Sequence, residues 1–261
     1  MLKYLMKYDL KKMLKLLVWL YPVSIALAVI TRIFYVWDDI QLFKIIGAVF
    51  AGLTYSAIAN VLVNTFVHIL KRFSTSFYKD QSYLTHTLPV KKDELILSKY
   101  LSGLAVVFAS IIVSFLSLFI IFYSPEFMRG LKLALDGVVA GFGMSGGSFV
   151  ALMILIIFLE ICSLISFAFT AIVKGYSYNH KRGLKGFLWF LCFYFSCSVI
   201  TLISAVIVAA ITGNLSGLFA NKMSGGAFLC VIIVCVISYF CFAVAFYFIC
   251  QKEFKMGVNV D

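Results

Sequence analysis

The chain has 261 residues, of which 63% are hydrophobic and only 13% are charged, and its mean hydropathy is +1.06. Soluble domains carry about 45–50% apolar and roughly 25% charged residues, so this composition excludes a soluble globular fold. It also excludes intrinsic disorder, which requires low hydrophobicity. The sequence therefore indicates an integral membrane protein.

The first predicted element is a basic amphipathic helix over residues 1–15. Lysine recurs at every fourth position, at Lys3, Lys7, Lys11 and Lys15, while leucine and methionine cover much of the remaining surface. Such a helix lies in the membrane interface, so we expect an elbow helix before the chain turns into the bilayer. This helix either only anchors the chain or moves with the bundle. A secretory signal is a rival interpretation of the N-terminus, but the apolar run continues too far for a typical signal peptide.

A helix needs about 20 apolar residues to cross the hydrocarbon core. The segments of that kind are Leu16–Tyr35, Ile45–Leu70, Tyr100–Tyr123, Ser148–Val173, Phe187–Thr212 and Ala227–Cys250. Their continuous apolar runs exclude a transmembrane barrel, whose strands show short alternating patterns. We therefore predict an all-α integral membrane protein, in which residues 1–261 form a single transmembrane domain with external loops at 124–147 and 213–226.

Positive charge gives the expected orientation. Six spans place both termini on one side, and the loops on that side hold 17 of the 22 Lys and Arg residues. Because such loops face the cytoplasm, we expect a multi-pass protein of the plasma membrane with both termini inside. The net charge of +11 then faces anionic membrane lipids and requires no nucleic acid partner.

The chain shows no pattern typical of catalysis or cofactor binding. All seven Cys lie inside predicted spans without CxxC spacing, which argues against a disulfide framework or a metal site. The sequence contains no phosphate-binding GxxxxGK[ST] motif. We therefore predict no catalytic, cofactor-binding or metal-binding residues in this chain.

Two polar features lie inside the predicted spans. Small and polar side chains recur every four residues along the second span, at Ala48, Gly52, Ser56, Asn60, Asn64 and His68. This stripe is either helix–helix contact within one subunit or a face of a dimer interface or transport path. Glu160 is the only acid deep in a span, where a charge costs about 2.5–3.5 kcal/mol or more. It is either a neutral acid bonded inside the bundle, for example to Asn60 or Asn64, or a polar point of a cavity or dimer seam.

The cytoplasmic loop at 71–98 is unusually apolar. It contains Phe77, Tyr78, Tyr83, Leu84 and Leu88, and exposed apolar clusters of this kind indicate a docking surface. Pro89 predicts a break between a short helix and a second helix that runs into the third span. Asp93 and Glu94 then lie in the first turn of that second helix, where the helix dipole favours acids.

The run from Tyr83 to Val90, YLTHTLPV, and the ELILSK that begins at Glu94 resemble the signature loop of bacterial type-2 ABC transporter permeases. The opening KYDLKK from Lys7 is similar to their N-termini, whereas Gln81-Ser82 stands where that family usually has Glu-Gly. The resemblance implies a second permease, identical or related, and two separate ABC ATPase subunits that bind ATP and Mg. It also implies that the loop docks on an ATPase through Tyr83, Leu84, Thr85, His86, Thr87 and Leu88.

The function expected from the resemblance is the membrane subunit of an ATP-driven exporter, with ATP hydrolysis in a partner chain. Alternating access would move an amphipathic or hydrophobic substrate outward, such as a peptide, lipid or drug. A stand-alone secondary transporter or channel is the alternative, although such proteins usually carry intramembrane charges and repeats. An intramembrane enzyme is a third class, for which the sequence shows no constellation of catalytic residues.

Overall fold

The computed structural model describes residues 2–37, 41–79, 81–87, 89–178, 180–215 and 224–256. Its helices are α1 (Leu2–Val36), α2 (Gln41–Tyr78), α3 (Ser82–Thr87), α4 (Lys92–Phe122), α5 (Pro125–Phe142), α6 (Gly146–Tyr176), α7 (Arg182–Ile211) and α8 (Gly225–Met256). Six of them, α1, α2, α4, α6, α7 and α8, are long and apolar enough to cross a membrane. The predicted all-α membrane fold is therefore confirmed, and the helices group into two compact units that divide after residue 128.

The first unit is a bundle of α1, α2 and α4, in which each helix contacts the other two. The buried face of α4 consists largely of small residues, at Ser98, Ser102, Gly103, Val106, Ser110, Ser114 and Ser117. In a membrane the lipid tails are as apolar as the helix side chains, so helices associate largely through van der Waals packing. Small residues favour this packing because they allow the helix backbones to approach closely. The serine face of α4 therefore forms much of the contact inside this unit.

Hydroxyl groups connect the three helices within this bundle. The Ser110 hydroxyl on α4 lies 2.7 Å from the Tyr21 hydroxyl on α1 and 2.6 Å from the Thr65 hydroxyl on α2. A second pair, Thr31 and Thr54, joins α1 to α2 at 2.8 Å. Interhelical hydrogen bonds of this kind contribute about 0.6 kcal/mol each on average in membranes.

The second unit contains α6, α7 and α8, again with contacts between each pair. Ser166 and Thr170 on α6 donate to the backbone carbonyls of Ala243 and Phe246 on α8, at 3.1 and 2.9 Å. At the junction of α6 and α7 the backbones almost touch, because a Cβ added at Gly175 would lie 2.7 Å from the Gly186 Cα. Only glycine fits at this crossing.

The structure refines several of the predicted boundaries. The expected elbow helix and first span are one continuous helix, α1, so no helix break marks a turn after residue 15. Most of the predicted external loop 124–147 is α5, a helix with Phe127 and Leu131 exposed on its surface. Its apolar and charged residues alternate with helical periodicity, which is typical of a helix lying in the membrane interface. In the other predicted external loop, residues 216–223 lie outside the described residues.

Candidate functional site

The most concentrated polar site of the first unit is an ion cluster at one end of the bundle, where α1 begins, α2 ends and α4 begins. We call this end the loop end. Asp9 of α1 is 0% exposed. Arg72 approaches it from α2 and Lys99 from α4, and only 9% and 6% of their side chains are exposed. One carboxylate therefore connects the three long helices of the unit.

Both cations bind the same oxygen of Asp9. The Arg72 Nε and Nη2 atoms lie 2.9 and 2.8 Å from Asp9 Oδ1, and the Lys99 Nζ lies 2.6 Å from it. The second oxygen, Oδ2, is buried and has no hydrogen-bond partner among the described residues. Two cations and one anion give the cluster a net charge of about +1, so Asp9 is the counter-ion on which both buried cations depend.

Tyr8 covers the outer side of the cluster. The Arg72 guanidinium lies 5.3 Å from the Tyr8 ring centroid, and the Lys12 Nζ lies 5.1 Å from it. Cations over an aromatic face are attracted by the quadrupole of the ring. The pKa of Tyr8 is lowered, first by the hydrogen bond with Lys12 and also by the nearby charge of Arg72, with burial acting in the opposite direction.

Arg72 also holds the short helix α3. Its Nη1 donates to Gln81 Oε1 at 2.5 Å. The backbone carbonyl of Gln81 in turn accepts from the Thr85 N–H at 3.0 Å and from the Thr85 hydroxyl at 2.8 Å, so Gln81 forms the start of α3. The side chain that neutralises Asp9 therefore also fixes the loop that the sequence predicts to be a docking surface.

The predicted arrangement of this loop is confirmed. A short helix, α3, is followed by Pro89 outside any helix and by α4, whose first turn contains Asp93 and Glu94. Tyr83 and Thr87 are exposed on α3, Thr85 is half-buried, and Leu88 and the side chains of Leu84 and His86 lie outside the described residues. Exposure of Tyr83 is what a docking surface requires.

Two aromatic residues counted with the exposed cluster are instead part of the core. Phe77 and Tyr78 are 0% and 2% exposed, and the Phe77 ring packs edge-on against Phe73 at 4.9 Å. They are buried because α2 continues through the predicted loop to Tyr78. The exposed apolar surface of the loop is therefore smaller than the sequence suggests.

The polar stripe of the second span faces away from the interior of the first unit. Gly52, Ser56 and Asn60 are exposed and Asn64 is half-buried, whereas the buried face of α2 contains residues such as Ala51, Thr54, Ile58, Val61 and Thr65. The Asn60 and Asn64 amides donate to carbonyls of their own helix at 3.0 and 2.9 Å. The stripe is therefore not helix contact within this unit, and its role at a dimer interface or transport path stays a prediction.

Glu160 lies near the middle of α6 and is half-buried. Its side chain makes no ion pair in the part of the chain that the structure describes, although it is close enough to Tyr239 of α8 to act on it electrostatically. The Ser163 hydroxyl donates to its backbone carbonyl at 2.7 Å. The predicted role of Glu160 in a cavity or dimer seam stays untested.

The second unit has its own charged cluster, where α6 ends, α7 begins and α8 ends. Lys174 Nζ lies 4.0 Å from Glu253 of α8. The same ammonium lies 4.6 Å from the ring centroid of Trp189 and 5.6 Å from that of Phe193, both on α7. As in the first unit, one charged side chain connects three long helices at one end of the bundle.

Sequence reasoning grouped Arg72 and Lys99 only as loop cations and did not pair them with Asp9. The usable signal was the cost of burial, since α2 and α4 are long helices and a cation on their inner faces requires a partner.

Among the described residues, no group of three His, Cys, Asp or Glu side chains could hold a metal ion. No family model, curated protein or solved structure matches the chain. The fold defines the class: this is an all-α, multi-pass membrane protein.

Proposed function

We propose that this protein is the membrane subunit of an ATP-driven exporter of the plasma membrane, with both termini in the cytoplasm. Two ABC ATPase subunits, with their ATP and Mg, and a second permease that is identical or related complete the transporter. It moves an amphipathic or hydrophobic substrate outward by alternating access. The observation that carries the proposal is the attachment of α3, with its exposed Tyr83, to the buried ion cluster through Arg72 and Gln81.

This attachment supports the proposal because a docking helix must transmit force to the spans. Movement of α3 acts on Gln81, then on Arg72, and from there on Asp9 and Lys99. Asp9 and Lys99 belong to α1 and α4, so all three long helices of the unit receive the displacement. Because packed helices shift as rigid bodies, a small motion at a partner surface can change the arrangement of the bundle.

Charge and sequence provide independent support. The loop end carries Lys71, Arg72 and Lys79 and lies on the predicted cytoplasmic side, where an ATPase and its ATP would be found. The YLTHTLPV run that resembles the permease signature begins at Tyr83 on α3. We therefore assign the docking contacts to Tyr83, Leu84, Thr85, His86, Thr87 and Leu88.

The alternative is a stand-alone secondary transporter or channel. Such proteins usually use ionisable side chains inside the membrane as ion or proton sites, and Glu160 is the one candidate of this kind. A transporter of this class needs no ATPase partner. Substrate movement by the purified protein alone, lost in a Glu160→Gln variant, would establish the alternative.

The test of the proposal is co-purification from native membranes with tagged wild-type protein and with a Tyr83→Ala variant. Tyr4→Ala is the matched control, because Tyr4 and Tyr83 are 80% and 78% exposed and lie on the same predicted side. An exposed tyrosine at the centre of an interface is a typical hot spot, so we expect Tyr83→Ala to reduce the retained ATPase about tenfold or more. Tyr4→Ala should retain it fully, and equal retention by both variants would contradict the docking role.

A further inference from the structure

We propose that the second unit binds an anionic phospholipid in a cavity of about 260 Å³ where α6 ends and α7 begins. The cavity is lined by Tyr178, Lys185, Leu188, Trp189 and Cys192. The phosphate lies at Lys185, and an acyl chain follows α7 past Leu188 and Cys192. This site goes beyond the transport proposal and does not depend on it.

The lining of the cavity is amphipathic along the axis of α7. Lys185 lies in the first turn of this helix, Leu188 and Trp189 lie one turn further, and Cys192 lies one turn beyond them. A lipid has the same order, since its charged headgroup meets the interface and its chains enter the hydrocarbon. Trp189 lies near the start of α7, where we expect the membrane interface, and tryptophan is enriched at that depth in membrane proteins.

Charge selects an anionic lipid rather than a zwitterionic one. The Lys185 ammonium lies over the Tyr178 ring, 4.0 Å from its centroid, and has no carboxylate partner in the described ranges. Glu253, an acid at this end of the unit, is already close to Lys174. A phosphate without a compensating amine therefore meets the positive charge of Lys185 at the cavity, whereas a zwitterionic headgroup also brings its own cation there.

The cavity walls are held in position before any ligand binds. The Arg182 Nε donates to the Tyr178 carbonyl at 3.1 Å, which attaches the connection between the helices to the start of α7. The close contact of Gly175 with Gly186 fixes the crossing of α6 and α7. Trp189 is restrained by the Lys174 ammonium at 4.6 Å. A preformed site loses little side-chain entropy on binding.

The outer surface of α7 leaves room for the acyl chains. Only Gly186, Cys197 and Ala209 are buried along this helix in the described structure. Phe195 and Val199 are 61% and 52% exposed and lie one and two turns beyond Cys192. Lipid chains that leave the cavity can therefore remain in contact with an apolar helix surface.

Native mass spectrometry of the purified full chain tests the site, with dioleoyl-phosphatidylglycerol and dioleoyl-phosphatidylcholine as probes. We expect preferential retention of phosphatidylglycerol and a loss of about fivefold in that preference for Lys185→Gln. Lys181→Gln is the matched control, since this exposed lysine lies outside the cavity, and it should change the preference by less than about twofold. Cys192→Trp fills the cavity and should reduce retention of both lipids.

Several outcomes would overturn the proposal. Equal retention of the two lipids, or equal losses in the Lys185 and Lys181 variants, would indicate general surface charge. Displacement of phosphatidylglycerol by an equal concentration of inorganic phosphate would indicate a site for phosphate alone. Thermal unfolding of each variant checks that it is folded. If Lys185→Gln does not fold, Cys192→Trp still tests the cavity independently.

Discussion

Replacement of Asp9 by Asn is the strongest test of the ion cluster. The substitution keeps the size of the side chain and removes the charge that Arg72 and Lys99 share at 2.8 and 2.6 Å. Asn is neutral and offers one carbonyl oxygen, so both cations stay buried without a counter-ion. The net charge of the cluster rises from about +1 to about +2.

The expected magnitude follows from the burial of the three groups. Asp9 is fully buried, and the two cationic side chains are 9% and 6% exposed, so water cannot replace the lost partner. Removal of one partner from a buried ion pair costs about 3–5 kcal/mol. We therefore expect Asp9→Asn to lower the free energy of unfolding by about this amount.

The assay is unfolding of the purified protein in detergent, followed by a double-mutant cycle with Lys99→Met. Lys99→Met removes one buried cation and leaves Asp9 paired with Arg72, so its cost should be small. The double variant returns the net charge to about +1 and should recover part of the loss caused by Asp9→Asn. Asp136→Asn, at an exposed acid of α5, is the control and should change stability by less than about 0.5 kcal/mol.

Two results would refute this reasoning. If Asp9→Asn unfolded at the same temperature as the wild-type protein, the buried cations would not depend on Asp9. If the losses of the two single variants simply added in the double variant, Asp9 and Lys99 would not be coupled.

The remaining predictions concern packing. Gly175→Ala places a Cβ 2.7 Å from the Gly186 backbone and should lower stability by about 1–3 kcal/mol, whereas Gly183→Ala, with nothing within 4 Å, should leave the melting temperature unchanged or slightly raised. Equal effects would argue against the close crossing of α6 and α7. Ser110→Ala removes both interhelical hydroxyl contacts and should cost about 1–2 kcal/mol, while Ser198→Ala loses only a bond to its own helix and should be nearly neutral. Thermal unfolding measures all four variants, and a neutral Ser110→Ala would exclude a stabilising hydroxyl cluster.

The spans could be predicted from sequence because their signal is local. A continuous apolar run must satisfy its backbone groups within the membrane, so it must be helical wherever its neighbours lie. The break at Pro89 and the acids that open α4 were predictable for the same reason, since each depends on the residues beside it. α5 was missed because Gly137 and Gly141, with Gly143, Gly146 and Gly147 after them, resemble a flexible loop, although the charged and apolar positions of α5 have helical periodicity.

The ion cluster could not be predicted in the same way because it joins residues that are far apart in sequence. Asp9 and Lys99 are separated by 90 positions, and nothing near either residue identifies the other. The role of the polar stripe on α2 stays open for a related reason. Asn60 and Asn64 suit either a contact inside the unit or a face turned away from it, and their spacing alone does not show that each amide is satisfied by its own helix.

The length of α2 has a consequence for where a water-soluble protein can reach this molecule. Its 38 residues measure about 57 Å along the helix axis, whereas the hydrocarbon core of a bilayer is about 30 Å thick. Even a tilt of about 40°, the upper end of observed tilts, leaves roughly 18 Å of helix outside the hydrocarbon core. The eight residues from Lys71 to Tyr78 supply about 12 Å of this length. Because the predicted span ends at Leu70, we expect α3 to begin beyond the hydrocarbon core, where a water-soluble protein can reach it.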